Sequence, residues 1–413
     1  MRRDVKLYML ATAVAGFSIL EGIYPVLLNL YLLRLGYGAA FVGVVGATGM
    51  LGYALFSFPA GIVSRSIGIR RGLLWGLGIA TLSHILLPAG EFLPLSARAP
   101  WILACYLVAT LGLSLYFVSA GPFLVGASRP ENRNMAFSAR MTTSILAGFV
   151  GSLAAGAAPG WTAALLGLST SDPAAYRYPL MAAGVLCLVA VAMLTTTSEV
   201  QASETAHDAQ ASRTSSRAIA VLVVVMSGIA MLRTAGLAAS RMFFNVYLDD
   251  GLGIPTAQIG MIFAGVQLAA LPVAMAMPAL AARLGSFRVI VGGSLGIAAS
   301  MLPLALVPHW LAGSIGRFGT YAFSAIADSA LGVYQLEIVP ARWRAIISGA
   351  ATTALGLSWA LVSYLGGRVI ATAGFRPLFL ATGLLTTLGT FLFWLYFRRP
   401  RGEFAAQHAQ PGE

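Results

Sequence analysis

Long apolar runs separated by short polar turns constrain this chain more than any other feature. They lie at 7–33, 41–64, 72–94, 101–127, 137–160, 178–197, 218–248, 256–282, 287–308, 310–338, 345–371 and 377–397. Each holds roughly the twenty apolar residues that a bilayer-crossing helix needs. No water is available inside lipid to bond a free amide, so each run must satisfy its backbone internally, as a helix. Only 10% of the 413 residues are charged, against about 25% in a soluble domain. The expectation is an all-α membrane protein with twelve transmembrane helices.

The stretch from Ser198 to Arg217 is the one long run that is polar, and Val200 is its only large apolar residue. Such a composition cannot bury a core and reads as a flexible linker. The expected organisation is a six-helix bundle over 1–197, a cytoplasmic linker over 198–217, a second six-helix bundle over 218–400 and a cytoplasmic tail over 401–413.

The net charge of +12 would suggest nucleic acid on a soluble protein, but its distribution points to a membrane. Arg2, Arg3 and Lys6 precede the first run, and Arg65, Arg70 and Arg71 follow the second. Arg129 and Arg133 follow the fourth, Arg213 and Arg217 lie in the linker, and Arg283 and Arg288 follow the eighth. Arg342 and Arg344 follow the tenth, and Arg398, Arg399 and Arg401 the last. The opposite turns carry only Arg34, Arg98, Arg177 and Arg376. Positive charge stays on the cytoplasmic side of a membrane, so both termini and the linker are expected inside. Asp249 and Asp250 then form a solvated outer turn. A single lysine among 26 basic residues fits a GC-rich bacterial genome, and hence a bacterial inner membrane.

Other function classes are excluded. Cys105 and Cys187 lie inside apolar runs and read as buried thiols. There is no metal-ligand spacing, no phosphate-binding glycine loop and no nucleophile constellation. No cofactor, no metal, no nucleic acid and no enzymatic activity are expected. The turns are too short for a nucleotide-binding domain, which excludes an ATP-driven pump on this chain alone.

The two halves repeat each other. Asn29-Leu-Tyr-Leu returns as Asn245-Val-Tyr-Leu, and Leu35-Gly36 with Val42-Gly43 returns as Leu252-Gly253 with Ile259-Gly260. Pro59-Ala60 with Arg65, Gly68 and Arg70 returns as Pro278-Ala279 with Arg283, Gly285 and Arg288. Pro130, Ser138, Thr142-Thr143 and Gly156 recur 210 residues later as Pro340, Ser348, Thr352-Thr353 and Gly366. Echoes in constant order indicate a duplicated six-helix unit.

With this repeat and its middle linker, the chain resembles the major facilitator superfamily over nearly its whole length. The loop after the second run carries the resemblance most locally: Gly61, Gly68 and Arg70 match the family's basic gate-loop pattern, Arg71 follows directly, and Arg65 stands where the pattern has aspartate. The resemblance implies two bundles closing around a midplane cavity lined by helices 1, 4, 7 and 10. Gly148, Gly151 and Gly156, followed by Pro159, resemble the glycine-rich signature of the drug/proton antiporter branch, which implies export. The arginine that many of those antiporters carry in helix 4 is missing from 101–127, and Arg317 is its expected substitute. Gly43, Gly46, Gly49 and Gly52 recur every third residue in the second run and read as a helix-packing seam.

An ionisable group at membrane depth costs several kcal/mol and needs a reason. Glu21 lies midway along the first run, just before Tyr24-Pro25, where a proline bends a helix. The seventh run holds Arg233 and Arg241, and the tenth Arg317 and Asp328. In the tenth run Arg317, Tyr321, Ser324, Asp328 and Gln335 fall within about 40° of one line, a stripe that lipid rejects. Arg317 and Asp328 are separated by roughly 16 Å along the axis and cannot pair with each other. Glu21 and Asp328 are the expected proton-coupling groups. Arg233, Arg241, Arg317, Tyr24, Tyr321, Ser324 and Gln335 are the expected substrate-binding groups. A static bridge between Glu21 and Arg233 is the bland alternative, and His84 reads as a satisfied interior histidine.

The expected function is secondary active transport of a small, amphiphilic, anionic organic solute by proton-coupled export, from a monomer whose partners are solute, protons and lipid. The alternatives are a proton-independent uptake facilitator and a transporter-like membrane sensor or lipid-handling protein.

Overall fold

A computed structural model describes residues 3–200, 216–338 and 341–398, apart from the side chains at 130, 134, 216–223, 270–271, 274–282, 333, 335–338 and 341–348. Twelve helices run antiparallel in chain order. α1 spans Arg3–Arg34, α2 Ala39–Ile67, α3 Ile69–Leu86, α4 Leu95–Ala127, α5 Arg133–Leu166 and α6 Pro173–Thr195. α7 is made of Ser216–Arg233 and Ala235–Val246. α8 spans Thr256–Leu284, α9 Ser286–Leu306, α10 Trp310–Ile338, α11 Ala341–Ala373 and α12 Phe375–Phe397. Nine helices are long and apolar enough to cross a membrane on their described residues alone. The first six form one half of the molecule and the last six the other. The end carrying Arg65, Arg70 and Arg71 is called the basic face, and the opposite end the far face.

The echoes in the sequence fall on the seam between the halves. A Cβ on Gly43 of α2 would lie 3.0 Å from the Cα of Gly367 of α11, and one on Gly156 of α5 the same distance from the Cα of Gly260 of α8. Gly43 and Gly260 are sequence echoes, and Gly367 is next to Gly366, the echo of Gly156. The two contacts are therefore pseudo-symmetric copies, and each brings two backbones together where only glycine fits. Asn29 and its own echo Asn245 meet on the same axis, with Asn29 Nδ2 donating to Asn245 Oδ1 at 3.0 Å and to the Met242 carbonyl at 2.9 Å. Asn245 Nδ2 returns a bond to the Val26 carbonyl at 3.1 Å.

These contacts close the far end only. One continuous apolar core runs through the first half and into the far-face portions of α7, α8, α9, α11 and α12, including Phe243, Phe244, Tyr247 and Phe379. At the basic face the second half has its own core of Ile229, Val289, Ile290, Ala330, Tyr334 and Phe393. The halves are thus fused at the far face and separately packed at the basic face.

Three expectations are corrected. The outer turn is exposed at Asp250 but closed at Asp249. Its carboxylate takes both guanidinium nitrogens of Arg34, at 2.6 and 2.7 Å, and its side chain is 8% exposed. The break in α1 does not arise at Pro25. A π-helical turn over Gly16–Leu20 ends at Glu21-Gly22, and the helix restarts at Ile23. Pro25 falls in the first turn of that new segment, where its missing N–H costs nothing. The front of the linker is packed, with Val200 against the core and Glu199 on the start of α3. Residues 201–215 and the tail lie outside the described residues.

Candidate functional site

The interruption of α1 positions the first acid. Gly148 of α5 lies so close that an added Cβ would be 2.6 Å from the Glu21 Cβ, and one on Gly151 would be 2.8 Å from the Gly22 Cα. The Glu21 carbonyl freed by the break accepts from Gln267 Nε2 at 3.2 Å, and that amide also donates to Ser152 Oγ at 3.1 Å. Glu21 is therefore fixed by backbone packing. Its carboxylate lines a cavity and has no hydrogen bond or ion pair among the described residues. The cations whose fields act on it are Arg241 and Arg317.

The cavity has a volume of about 720 Å³. It begins at Leu28 and Asn29, beneath the far-face seam, and continues to Phe393 and Phe397 at the end of α12. It opens towards the basic face. Tyr24, Met50, Leu113, Phe117 and Leu355 supply much of its apolar and aromatic wall.

Arg233 and Asp328 form the ion pair of the second half. Arg233 is 2% exposed and sits just before the break in α7 at Thr234. It donates to Asp328 Oδ1 at 3.1 Å and to Ser294 Oγ of α9 at 3.1 Å. The Asp328 side chain is 45% exposed, and it lines the cavity. A guanidinium buried this deeply is retained because a carboxylate and a hydroxyl satisfy it. The alternative of a bridge between Glu21 and Arg233 is not formed, since Arg233 turns to its own half.

Arg241 lines the cavity opposite Glu21 and is exposed to it. It donates to the Tyr321 hydroxyl at 3.0 Å, and its Cζ lies 4.9 Å from the Tyr321 ring centre and 5.4 Å from that of Trp359. No carboxylate lies within ion-pair distance of it among the described residues.

Five expected site residues therefore meet at the cavity: Glu21, Tyr24, Arg233, Arg241 and Asp328. The expectation for Arg317, Tyr321 and Ser324 is corrected, because none of them lines it. Arg317 is buried behind the wall, donates to Ser240 Oγ at 3.2 Å and faces the rings of Phe244, Phe263 and Tyr321. Ser324 donates to the Tyr321 carbonyl of its own helix at 2.9 Å. Tyr321 backs Arg241. The polar stripe of α10 is thus mostly a protein-facing network, and Asp328 is its cavity member. The Gln335 side chain lies outside the described residues. The Tyr24 hydroxyl is committed to the His84 carbonyl, and His84, which is buried and also lines the cavity, bonds the Ala80 carbonyl through Nδ1 at 2.6 Å.

The gate loop turns at Gly68, whose φ of +98° favours glycine. Arg65 is exposed at the end of α2 and Arg71 at the start of α3. The loop does hold an acid, but it comes from beyond α6. Glu199 Oε1 accepts the Arg70 N–H at 3.1 Å, on the positive end of α3. The Arg70 guanidinium bonds the Thr195 carbonyl. An added Cβ on Gly61 would meet only Val118, in ordinary contact at 3.9 Å.

Sequence reasoning does not single out several residues that matter here. Trp359 and Gln267 carry no charge at depth and give no signal in a single sequence, and Asn29 shows there only as the echo of Asn245. Arg140 does give one, as a cation inside the run 137–160. Its Cζ lies 5.9 Å from the centre of the Phe117 ring, and that ring lines the cavity.

The sequence matches the family model described as Major Facilitator Superfamily over residues 9–248 and again over 226–412. No curated protein matches it significantly. A crystal structure of a variant of the nucleoside transporter NupG is similar at TM-score 0.74 and 15% identity, covering 95% of this chain and 99% of that one. A D-xylose–proton symporter is similar at TM-score 0.73 and 15% identity, with coverage of 94% and 96%. The xylose transporter XylE from E. coli, inward open, is similar at TM-score 0.73 and 14% identity, with 98% of each chain covered. At these identities the likeness is one of fold.

Proposed function

This chain belongs to the Major Facilitator Superfamily and is a transporter of small solutes, and from that premise we propose that Glu21 couples a proton to solute movement by alternating access. One observation carries the reading. Glu21 is a cavity carboxylate with no partner among the described residues, facing a cavity guanidinium, Arg241, that has no carboxylate partner. Asp328 already neutralises Arg233, so a proton there breaks an ion pair, whereas a proton on Glu21 breaks none.

Protonating Glu21 removes one of the two charges that oppose each other across the cavity. A solute that supplies the missing negative charge then binds together with the proton. Two ligands that favour each other's binding cross together, which is symport. Antiport requires solute and proton to compete. The support for export in the sequence is the glycine-rich stretch of α5, and its Gly156 packs against Gly260 of α8. With the basic face cytoplasmic in a bacterial inner membrane, the cavity corresponds to an inward-open state.

The test is solute-dependent proton flux into pyranine-loaded proteoliposomes, screened against organic acids, amines and neutral solutes. The wild type acidifies the lumen with its solute, and E21Q does not, while solute exchange at equal pH survives in E21Q. Full proton flux in E21Q refutes coupling through Glu21. Solute uptake without any proton flux in the wild type favours a facilitator.

A further inference from the structure

We propose that the cavity selects an organic monoanion, a carboxylate on an apolar or aromatic body, seated on Arg241. This rests on the reading of the cavity as the transport site.

The arginines around the cavity differ in what remains free. Arg233 is committed to Asp328 and Ser294. Arg317 is 6% exposed, bound to Ser240 and enclosed by three rings. Arg241 is open to the cavity and uses one of its donors, on the Tyr321 hydroxyl. A guanidinium has five N–H donors in a planar fork that matches a carboxylate. Tyr321 and Trp359 hold the fork in place, and the Trp359 indole Nε1 is a buried donor with no partner among the described residues.

Charge sets the valence. With Glu21 protonated, Arg233 and Arg241 against Asp328 leave one positive charge among the lining residues, so a dianion would carry one negative charge too many. A monoanion restores neutrality once Glu21 holds its proton. A zwitterion would instead keep Glu21 ionised against its ammonium group and would carry no proton. The remaining wall, with Met50, Leu113, Phe117 and Leu355, suits an apolar body.

The experiment is equilibrium binding to the purified full chain in detergent, by calorimetry and tryptophan fluorescence. The probes are phenylacetate, hydrocinnamate and octanoate, beside hydrocinnamamide, phenylpropylamine and phenylalanine. Carboxylates remain ionised between about pH 6 and pH 8, so a pH effect in that window reports on the protein. The expected result is a carboxylate bound roughly tenfold to a hundredfold tighter than its amide, a preference lost in R241Q and partly kept in R241K. E21Q, which mimics the protonated acid, binds the carboxylate tighter than the wild type and without pH dependence. Melting curves check that R241Q and E21Q are folded, and R241K carries the test if R241Q is not.

The proposal is overturned if acid and amide bind alike across the panel, or if the amine binds best. It is also overturned if phenylalanine outbinds hydrocinnamate and E21Q erases that advantage. Carboxylate binding through Arg241 without solute-dependent proton flux supports the anion seat and refutes the coupling. Proton flux driven by an amine or a neutral solute refutes the anion seat alone.

Discussion

Replacing Asp249 with Asn opens the far face. Arg34 is in the first half and Asp249 in the second, so their bidentate pair, at 2.6 and 2.7 Å, exists only while that end is closed. The side chains are 24% and 8% exposed. An exposed pair contributes about 0.2–1 kcal/mol, and breaking a buried one costs about 3–5 kcal/mol. This half-buried pair falls between, at about 2 kcal/mol. The loss applies only to the closed state, because both groups are hydrated once the halves part. At about 1.4 kcal/mol per tenfold change, the ratio of far-open to far-closed molecules rises roughly thirtyfold. The assay is pulsed electron–electron resonance between spin labels on Thr170→Cys and Ala373→Cys, in a background lacking Cys105 and Cys187. Both label sites are exposed at the far face, one in each half. The long-distance population grows in D249N, and the charge swap Arg34→Asp with Asp249→Arg reverses most of the change. A far-open population that changes less than about threefold in D249N refutes the latch.

Gly260→Leu wedges α8 against α5, where an added Cβ would already lie 2.7 Å from the Gly156 nitrogen. It lowers the melting temperature and transport together, whereas Gly121→Ala, with nothing within 4 Å of an added Cβ, changes neither. Asp328→Asn leaves Arg233 buried without its counter-charge, and because Asp328 itself is partly exposed the cost by melting is about 1–2 kcal/mol. The double variant with Arg233→Gln recovers part of that loss, and a double-mutant cycle with no coupling energy would mean that the pair is not formed. Single cysteines at Arg70 and Asp250 label from opposite sides of the membrane, with Arg70 on the cytoplasmic side. Labelling from one side would overturn the orientation.

The twelve helices and their duplication are determined by the sequence alone. Run length and apolarity decide that a segment crosses the membrane, and the obligation to satisfy its amides in lipid decides that it is helical. The echoes Asn29/Asn245 and Gly43/Gly260 are legible for the same reason: symmetric copies of a packed unit need the same residues at the same contacts. Depth is legible too, because position along an apolar run is position across the bilayer, and it marks Glu21, Arg233, Arg241 and Asp328 as candidates.

Only the tertiary structure decides which of these groups meet. A period of 3.6 residues gives an angle about one helix axis and says nothing of how that helix is rotated against its neighbours. That rotation is set by backbone approach at Gly148, Gly151 and Gly156 and by the break at Glu21-Gly22, both of which depend on contacts distant in sequence. The structure pairs Asp328 with Arg233 and not with the other half, turns Ser324 onto its own backbone, and places Asp249 on Arg34. It thereby leaves Glu21 and Arg241 as the two cavity charges without a counter-ion among the described residues. Pairing between helices is a property of the packed assembly, and the linear order of residues does not contain it.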